Sequence, residues 1–439
     1  MSTSAVLNRE VFRTSRELEY FTQKELTLQT GHEPARWSEV ILKELIDNGL
    51  DACEEAGQLP EIHVRVTDDS IMVEDNGPGL PAGAVQSALD YSVRASSKDA
   101  YISPTRGAQG NALKTIFAIP YVLSGEAGIV TIDTPHASHH ISVSTDRIAQ
   151  EPRIEHTAAA PVVKIGTSVT VWARSQAPAA ASRFLQMVED YSLLNPHATF
   201  EFEADGATHR FERTADAILK WKASEPTDAH WYTPEQLRNL IAAYLNLEQR
   251  GGRARTVRDF ITEFRGLSST AKQKTILGHL GLSNVPLRDF VKGGDVDMQA
   301  VTDLLAQMRV HSKPVVPALL GVIGRGHFER WFAERKVALQ TFKYNRVFCQ
   351  DKSARPAVLE IATAVREAHD GQGLRLVTGV NFSPTLVDPF RALGNYGVGL
   401  QGILGQLYIE PNDPVTIVCH LTCPHLNYTD RGKSSLEAL

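Results

Sequence analysis

Apolar residues recur at helical spacing through "SEVILKELIDNGLDACEEAG", Ser38 to Gly57, where Ile41, Leu42, Leu45 and Ile46 form one seam. An amphipathic helix capped by Ser38 is expected there. The period then drops to two in "EIHVRVTDDSIMVEDNGPGLP": Ile62, Val64 and Val66 alternate, a polar "TDDS" turns the chain, and Ile71 and Val73 follow. That pattern predicts two strands, with Asp75 at the end of the second. Further on, "SPTRGAQGNALKTI" sets Gly107 and Gly110 before an apolar helical segment, and Arg253 to Leu282 carries two helical patterns separated by "GLSS". From about His311, strand-like "GLRLVTGVNF" and "PVTIVCHLTCP" alternate with helix-like "ARPAVLEIATAVREAH" and "GVGLQGILGQL". The last third therefore reads as an α/β layer domain.

Several of these elements carry polar groups that suggest chemistry. Glu44, Asn48 and Asp51 stand at i, i+4 and i+7 on one stripe of the first helix. A solvated face accounts for Glu44 and Asp51, but less well for Asn48-Gly49, two poor helix formers in mid-helix. A carboxylate one turn before a carboxamide can polarise water with the first and hold a hard cation such as magnesium with the second. In "VEDNGPGLP" the Asn-Gly and Pro-Gly pairs read as an ordinary strand-end turn. They also strip side chains at Gly77 and Gly79, where a flat purine could lie with its amine donating to Asp75. A Gly-rich loop opening a helix suits phosphate, although the GK[ST] ending of a Walker loop is missing here.

Length and charge set the bounds. With 439 residues, two to four domains of roughly 150 residues each are expected. The net charge of -6 argues against whole-chain attraction to nucleic acid, not against a local patch. Arg250 to Lys274 is such a patch, with seven Lys/Arg against Asp259 and Glu263, and it is either a solvated basic face or a contact for duplex phosphates. The four Cys, a start without a secretory pattern and the lack of an apolar run near 18 residues set the expectation of a cytoplasmic protein with no membrane association. "CHLTCPH" has spacing within zinc limits, but no second CxxC accompanies it, and "PVTIVCHL" reads as a buried strand whose Cys419 is a small apolar residue.

Taken in order, "ELIDNGLDA", "EDNGPGLP", "RGAQGNALKTI" and "KIGTSVTVWA" (Lys164 to Ala173) resemble the four motifs of the GHKL superfamily of ATPases, which includes gyrase, the ninety-kilodalton heat-shock chaperones, histidine kinases and MutL. The resemblance implies an α+β fold whose ATPase domain is a Bergerat α/β sandwich, and ATP and Mg2+ as cofactors. It implies Glu44 as the general base, Asn48 as the magnesium ligand and Asp75 as the adenine reader, with Asp51 in the nucleotide-binding set. Gly77 and Gly79 would be the close-approach glycines, and Thr167 would hydrogen bond near the adenine. Gly107, Gly110, Asn111, Ala112 and Leu113 would form the lid around the phosphates. Many members have Gly where Ala112 stands, whereas the MutL-like pattern has Ala. Lys98 is either a phosphate ligand or a solvated surface residue.

Within that superfamily, "EYFTQKEL", "LLNPHATFEF" and the paired helical patterns of Arg253 to Leu282 resemble the topoisomerase VI B subunit, the last as its helix-two-turns-helix insert. "VTGVNFSPTL" and "NYTDRGKSSLE" are similar to its transducer, with Lys433 as the switch lysine reaching the γ-phosphate. The organisation implied is an N-terminal segment (1–30), ATPase domain (31–222), helical insert (223–305) and α/β transducer (306–439). The implied function is an ATP-dependent homodimeric clamp on duplex DNA, the B-type subunit of a type IIB topoisomerase. A separate A-type cleavage subunit with toprim and winged-helix domains would partner it, since nothing in the chain resembles the cleavage domain. The chain stops soon after Lys433, short of the long helix by which that family reaches its partner, so either truncation or a different coupling is expected. A MutL- or MORC-like clamp without a topoisomerase partner and a nucleotide-binding regulatory scaffold remain as alternatives.

Overall fold

The computed structural model describes residues 16–91, 100–106, 112–146, 151–173, 180–335, 337–351, 355–366, 373–391, 398–426 and 436. Its first layer is built from α1 (Gln23–Thr30), α2 (Trp37–Glu55), β1 (Glu61–Val66), β2 (Ser70–Asp75), α3 (Ala82–Ala88), α4 (Ala112–Ser124), β3 (Gly128–Asp133), β4 (Ser138–Asp146), β5 (Glu151–Ala159), β6 (Thr167–Trp172), α5 (Ala180–Leu194), β7 (Thr199–Ala204) and β8 (Ala207–Phe211). The strands form one mixed sheet in the order β5-β4-β3-β6-β2-β1-β7-β8. All neighbours are antiparallel except β1 and β7. Along β1, Ile62, Val64 and Val66 are buried while Glu61 and Arg65 are exposed, so the expected alternation turns one apolar face toward the helices. Ile41, Leu45 and Ile46 of α2, Phe117 of α4 and Phe184 of α5 meet that face in one core.

The start of α2 differs from expectation. The helix begins at Trp37, one residue ahead of Ser38, because the 3-10 turn Pro34–Arg36 runs straight into it and leaves Arg36 at the cap position. Arg36 instead bonds Glu39 inside the first turn, at 2.6 Å.

A second, all-helical cluster follows: α6 (Pro234–Gln249), α7 (Val257–Thr262), α8 (Thr270–Leu280), the short ribbon β9 (Val291–Lys292) and β10 (Asp295–Val296), and α9 (Met298–His311). Its boundaries are strongly signalled, with capping boxes at Thr233/Gln236 and Thr256/Asp259 and a left-handed Gly281 closing α8. Leu237, Phe260, Ile276, Leu304 and Met308 share its core with Trp231.

The last part comprises α10 (Arg325–Ala333), β11 (Val337–Gln350), β12 (Pro356–Arg366), β13 (Arg375–Val380), β14 (Ser383–Pro384), α11 (Gly399–Gln406) and β15 (Val415–Thr422), with sheet order β11-β12-β15-β13-β14. Only β13 and β15 are parallel, and α11 lies in the connection between them. The expectation of a helix over "ARPAVLEIATAVREAH" is corrected here: Pro356–Arg366 is β12, paired on both sides. Val358, Glu360, Ala362 and Ala364 alternate into the interior, and the buried Glu360 conceals the strand period. Glu360 is satisfied inside the core by Ile323 and Gly324 N–H at 2.9 Å and by the Tyr344 hydroxyl at 2.8 Å. In β15, Cys419 is buried beside Ile417 and Leu421, while His420 faces Glu360 at 3.3 Å.

This sheet is locked to the first layer through α5. Leu193 and Leu194 at the helix end sit in its core. Glu189 bonds both Arg335 and Arg375 at 2.7 Å, and Asp190 bonds Arg375 at the same distance.

Candidate nucleotide site

The site begins where β2 ends beneath α2. Asp75 pairs in register with Thr167, the first residue of β6, so the acidic strand end and the Gly-Thr strand lie side by side. Three glycines show how closely backbone is drawn around that carboxylate. A Cβ on Gly49 would lie 3.1 Å from the Asp75 Cβ, one on Gly77 would lie 2.9 Å from Asp75 Oδ1, and one on Gly166 would come 1.6 Å from the Asp75 carbonyl oxygen. Gly49, a poor helix former in mid-helix, thus lets α2 pack closely on Asp75 of β2. Gly79 has a φ of +86° and a Cβ there would meet Pro135 at 2.6 Å, which excludes any other residue without rearrangement.

Asn76 braces the turn. Its Oδ1 accepts from Glu61 N–H at 2.9 Å and from the Cys53 thiol at 3.2 Å, and its Nδ2 donates to the Leu59 carbonyl at 3.1 Å. The Thr167 hydroxyl accepts from Leu80 N–H at 3.0 Å, fixing the far side of the same turn. Asp75 Oδ1 accepts from Gly77 N–H at 2.8 Å. Burial raises the Asp75 carboxyl to about 6, against the partial relief of backbone hydrogen bonds from Gly77 and Thr167. A carboxylate so placed gains from any neutral donor brought to it.

Glu44 and Asn48 lie one turn apart on α2, the first half-buried and the second exposed. Asp51 has a different setting: its Oδ1 bonds the Arg106 guanidinium at 2.8 Å. Leu113, in the first turn of α4, packs against the apolar core. Ala112 opens that helix. Lys98, Gly107, Gly110, Asn111 and Lys433 lie outside the described residues.

A buried charge cluster beside the site gave no signal in the sequence. The Arg106 side chain is 0% exposed and donates to Glu54 through both terminal nitrogens at 2.9 Å, to Asp51, and to Asn195. Glu54 also receives Lys220 Nζ at 2.5 Å and bonds His197 at 2.9 Å. Burial pushes the Glu54 carboxyl up, but the Arg106 and Lys220 charges and the His197 bond outweigh it and hold it well below the usual carboxylate range. Asp47, on the same stripe of α2, accepts from Lys43 at 2.7 Å and from Tyr191 and Ser383 at 2.8 Å.

The motif order and the helix-backed sheet around Asp75 resemble those of the GHKL-type ATPases. Within that class the chain is similar to the B subunit of type 2 DNA topoisomerase 6. It is 24% identical over 437 residues to the Archaeoglobus fulgidus protein, covering 95% of this chain and 70% of that one. The Saccharolobus islandicus subunit is 26% identical over 284 residues, 61% of this chain and 51% of its own, and the Natronomonas pharaonis subunit 28% over 191 residues, 40% and 23%. No family model matches the chain. Among solved structures, the gyrase B subunit of Myxococcus xanthus aligns with 12% identity and a TM-score of 0.41 over 96% of this chain and 88% of that one. The 43K ATPase domain of Thermus thermophilus gyrase B aligns with 12% identity and a TM-score of 0.36 over 94% and 82%.

Proposed function

We propose that this chain is the ATP-hydrolysing, B-type subunit of a DNA-acting complex of the type IIB topoisomerase kind. The observation that carries the reading is the Asp75 strand end: a buried carboxylate with raised pKa, closely approached by Gly49, Gly77 and Gly166 and flanked by Thr167. That geometry suits a flat base whose exocyclic amine donates to Asp75. Glu44 polarises the attacking water, and Asn48, on the adjacent turn, offers a carboxamide oxygen to magnesium. The pair fits a hard cation, because such ions take oxygen ligands and keep several waters. When bound, the ion offsets charge on the phosphates.

Gly107, Gly110, Asn111, Ala112 and Leu113 form the phosphate lid in this reading, Lys98 and Lys433 supply cations to it, and Asp51 anchors its edge through Arg106. The domain division at 1–30, 31–222, 223–305 and 306–439 is supported by the helical core around Trp231 and Phe260, to which Ile102 and Val358 of the flanking parts contribute. ATP joins two copies, and a separate cleavage subunit acts on the DNA. Two of the seven basic residues of the Arg250 to Lys274 patch are tied down, Arg253 to Asp259 at 3.5 Å and Arg255 to Glu263, and of the other five Arg250, Arg265, Lys272 and Lys274 are exposed as its outward charges toward DNA. Among the described residues no helix is long and apolar enough to cross a membrane, and the cytoplasm is the proposed compartment.

The test is phosphate release from Mg-ATP by the purified chain, with sedimentation in the β,γ-imido analogue of ATP. Turnover, together with dimers in the analogue and far fewer in ADP, is expected. A chain that binds no nucleotide and stays monomeric would overturn the proposal, and strand passage with a cognate cleavage subunit separates a topoisomerase from a clamp that lacks one.

A further inference from the structure

The turn between β13 and β14 is unusual. Asn381 and Phe382 both have left-handed backbone, with φ of 49° and 66°. Asn tolerates that region, but a bulky aromatic rarely adopts it, so the surroundings must enforce it. They do so from every side. The Phe382 ring is fully buried, with Lys220 Nζ 5.4 Å from its centre and the His420 ring at 4.8 Å. Its N–H donates to His420 Nε2 at 2.9 Å, and its carbonyl accepts from Asn195 Nδ2 at 2.9 Å and from Arg106 Nε at 3.4 Å. Ser383 is held by Lys43 and Asp47, each at 2.8 Å.

Asn381 makes the connection that matters for the proposed site. Its Oδ1 accepts from Cys423 N–H at 2.9 Å, and its Nδ2 donates to the Thr105 carbonyl at 3.4 Å. A backbone N–H can only donate and a carbonyl can only accept, so these partners fix the orientation of the amide. From Thr105 the chain runs through Arg106 into the Gly107–Gly110 loop, and from Cys423 it runs on toward Lys433. One side chain thus spans the roots of the two segments expected to meet the phosphates. The turn is bonded as well to Lys43 and Asp47 of α2, to Asn195 just past α5 and to Cys423 just past β15, all at 2.8–2.9 Å.

We infer that Asn381 is a positioning residue for ATP turnover, setting the root of the Gly-rich loop against the root of the Lys433 segment, with Arg106 as its support. The inference rests on the ATPase reading above. Asn381→Asp keeps the shape, the left-handed backbone and the acceptor for Cys423, but turns an oxygen toward the Thr105 carbonyl. Asn381→Gly keeps the backbone and removes both bonds, and it serves if the acidic variant fails to fold. The experiment measures kcat for ATP and calorimetric affinity for ADP in the parent and both variants. Expected is a fall of about tenfold or more in kcat, with ADP affinity within about twofold of the parent, since ADP lacks the phosphate at which the two segments would meet. A folded variant with parental kcat and only a lowered melting temperature overturns the inference, leaving Asn381 as a packing residue. A parent that itself binds no ADP overturns the ATPase reading and the inference with it, and is recognised by the failure of the parent rather than of the variants.

Discussion

Asp75 and Glu54 are carboxylates in polar clusters beside the same helix, and they are treated in opposite ways. Glu54 is surrounded by Arg106, Lys220 and His197, and its pKa falls well below the ordinary value. Asp75 receives only neutral backbone donors, and burial raises it to about 6. Glu54 has its counter-charges within the fold, whereas Asp75 has hydrogen-bond donors but, among the described residues, no counter-charge. A carboxylate in the first condition is a structural joint, and one in the second suits the proposed recognition of a neutral donor. The same division runs along α2: Lys43, Asp47, Asp51 and Glu54 are committed to the joint, and Glu44 and Asn48 are not part of it.

The largest effect expected from that division is catalytic. Glu44→Ala should lower ATP turnover by about 10²–10⁴-fold, the usual loss when general-base help is removed. It should leave the melting temperature near that of the parent, because Glu44 is only half-buried. Steady-state phosphate release with a thermal melt measures both, and parental turnover in the variant would remove Glu44 from the chemistry.

Glu54→Ala should do the reverse. It removes the carboxylate shared by the guanidinium of Arg106 and the ammonium of Lys220, whose side chains are 0% and 4% exposed, and leaves Asp51 as the counter-charge near both. Breaking one side of a buried ion pair typically costs about 3–5 kcal/mol. Urea denaturation should show a loss of that order. A variant as stable as the parent would mean that the cluster is more hydrated than its burial implies, and the contrast with Asp75 would collapse.

Asp75→Asn sharpens the comparison from the other side. It replaces an acceptor with a donor facing the proposed adenine amine, and an unsatisfied buried group costs roughly 1–3 kcal/mol, about one to two decades in affinity. The apo protein should lose no stability at neutral pH, since the substitution removes a charge that burial opposes. Calorimetry with ADP and a thermal melt test the two halves, and unchanged ADP affinity would reduce Asp75 to a turn cap.

What was legible in the sequence divides along the same line. Asp75, Gly77 and Gly79 could be placed at a strand end and its turn because local pattern fixes such positions, whereas Thr167 was joined to them only by the resemblance to the GHKL motifs. The Arg106 joint was not legible, since Glu54 and Lys220 are 166 residues apart and a charge read in isolation looks solvated. Buried Glu360 hid β12 in the same way, breaking an apolar alternation that its partners 36 and 37 residues upstream make tolerable. Ser38 looked like a cap because capping residues are read from type, whereas the preceding 3-10 turn decides where α2 starts. Charges whose partners are distant are the blind spot, and in this fold they hold the layers together.

The smallest effect is the most specific, because only a carboxylate in the Asp75 condition produces it. The folded-state value of about 6 exceeds the ordinary 3.8, so the unfolded chain gives up this proton first as pH rises. Between about pH 4 and pH 6 the group therefore subtracts increasingly from the stability of the apo protein, the opposite of a salt-bridged carboxylate such as Glu54. Adenine recognition needs the ionised form, so affinity should move the other way and strengthen as pH rises through about 6. With a pKa near 6 roughly a tenth of the carboxyl is ionised at pH 5, and ADP should bind about tenfold more weakly there than at pH 8 through this group alone. The phosphates of ADP titrate in the same range, so the measurement is the difference between parent and Asp75→Asn, calorimetrically at pH 5, 6, 7 and 8. The variant should retain the slope that belongs to the ligand and lose the rest. If the two slopes coincide, Asp75 is ionised throughout that range, and its burial is not what distinguishes it from Glu54.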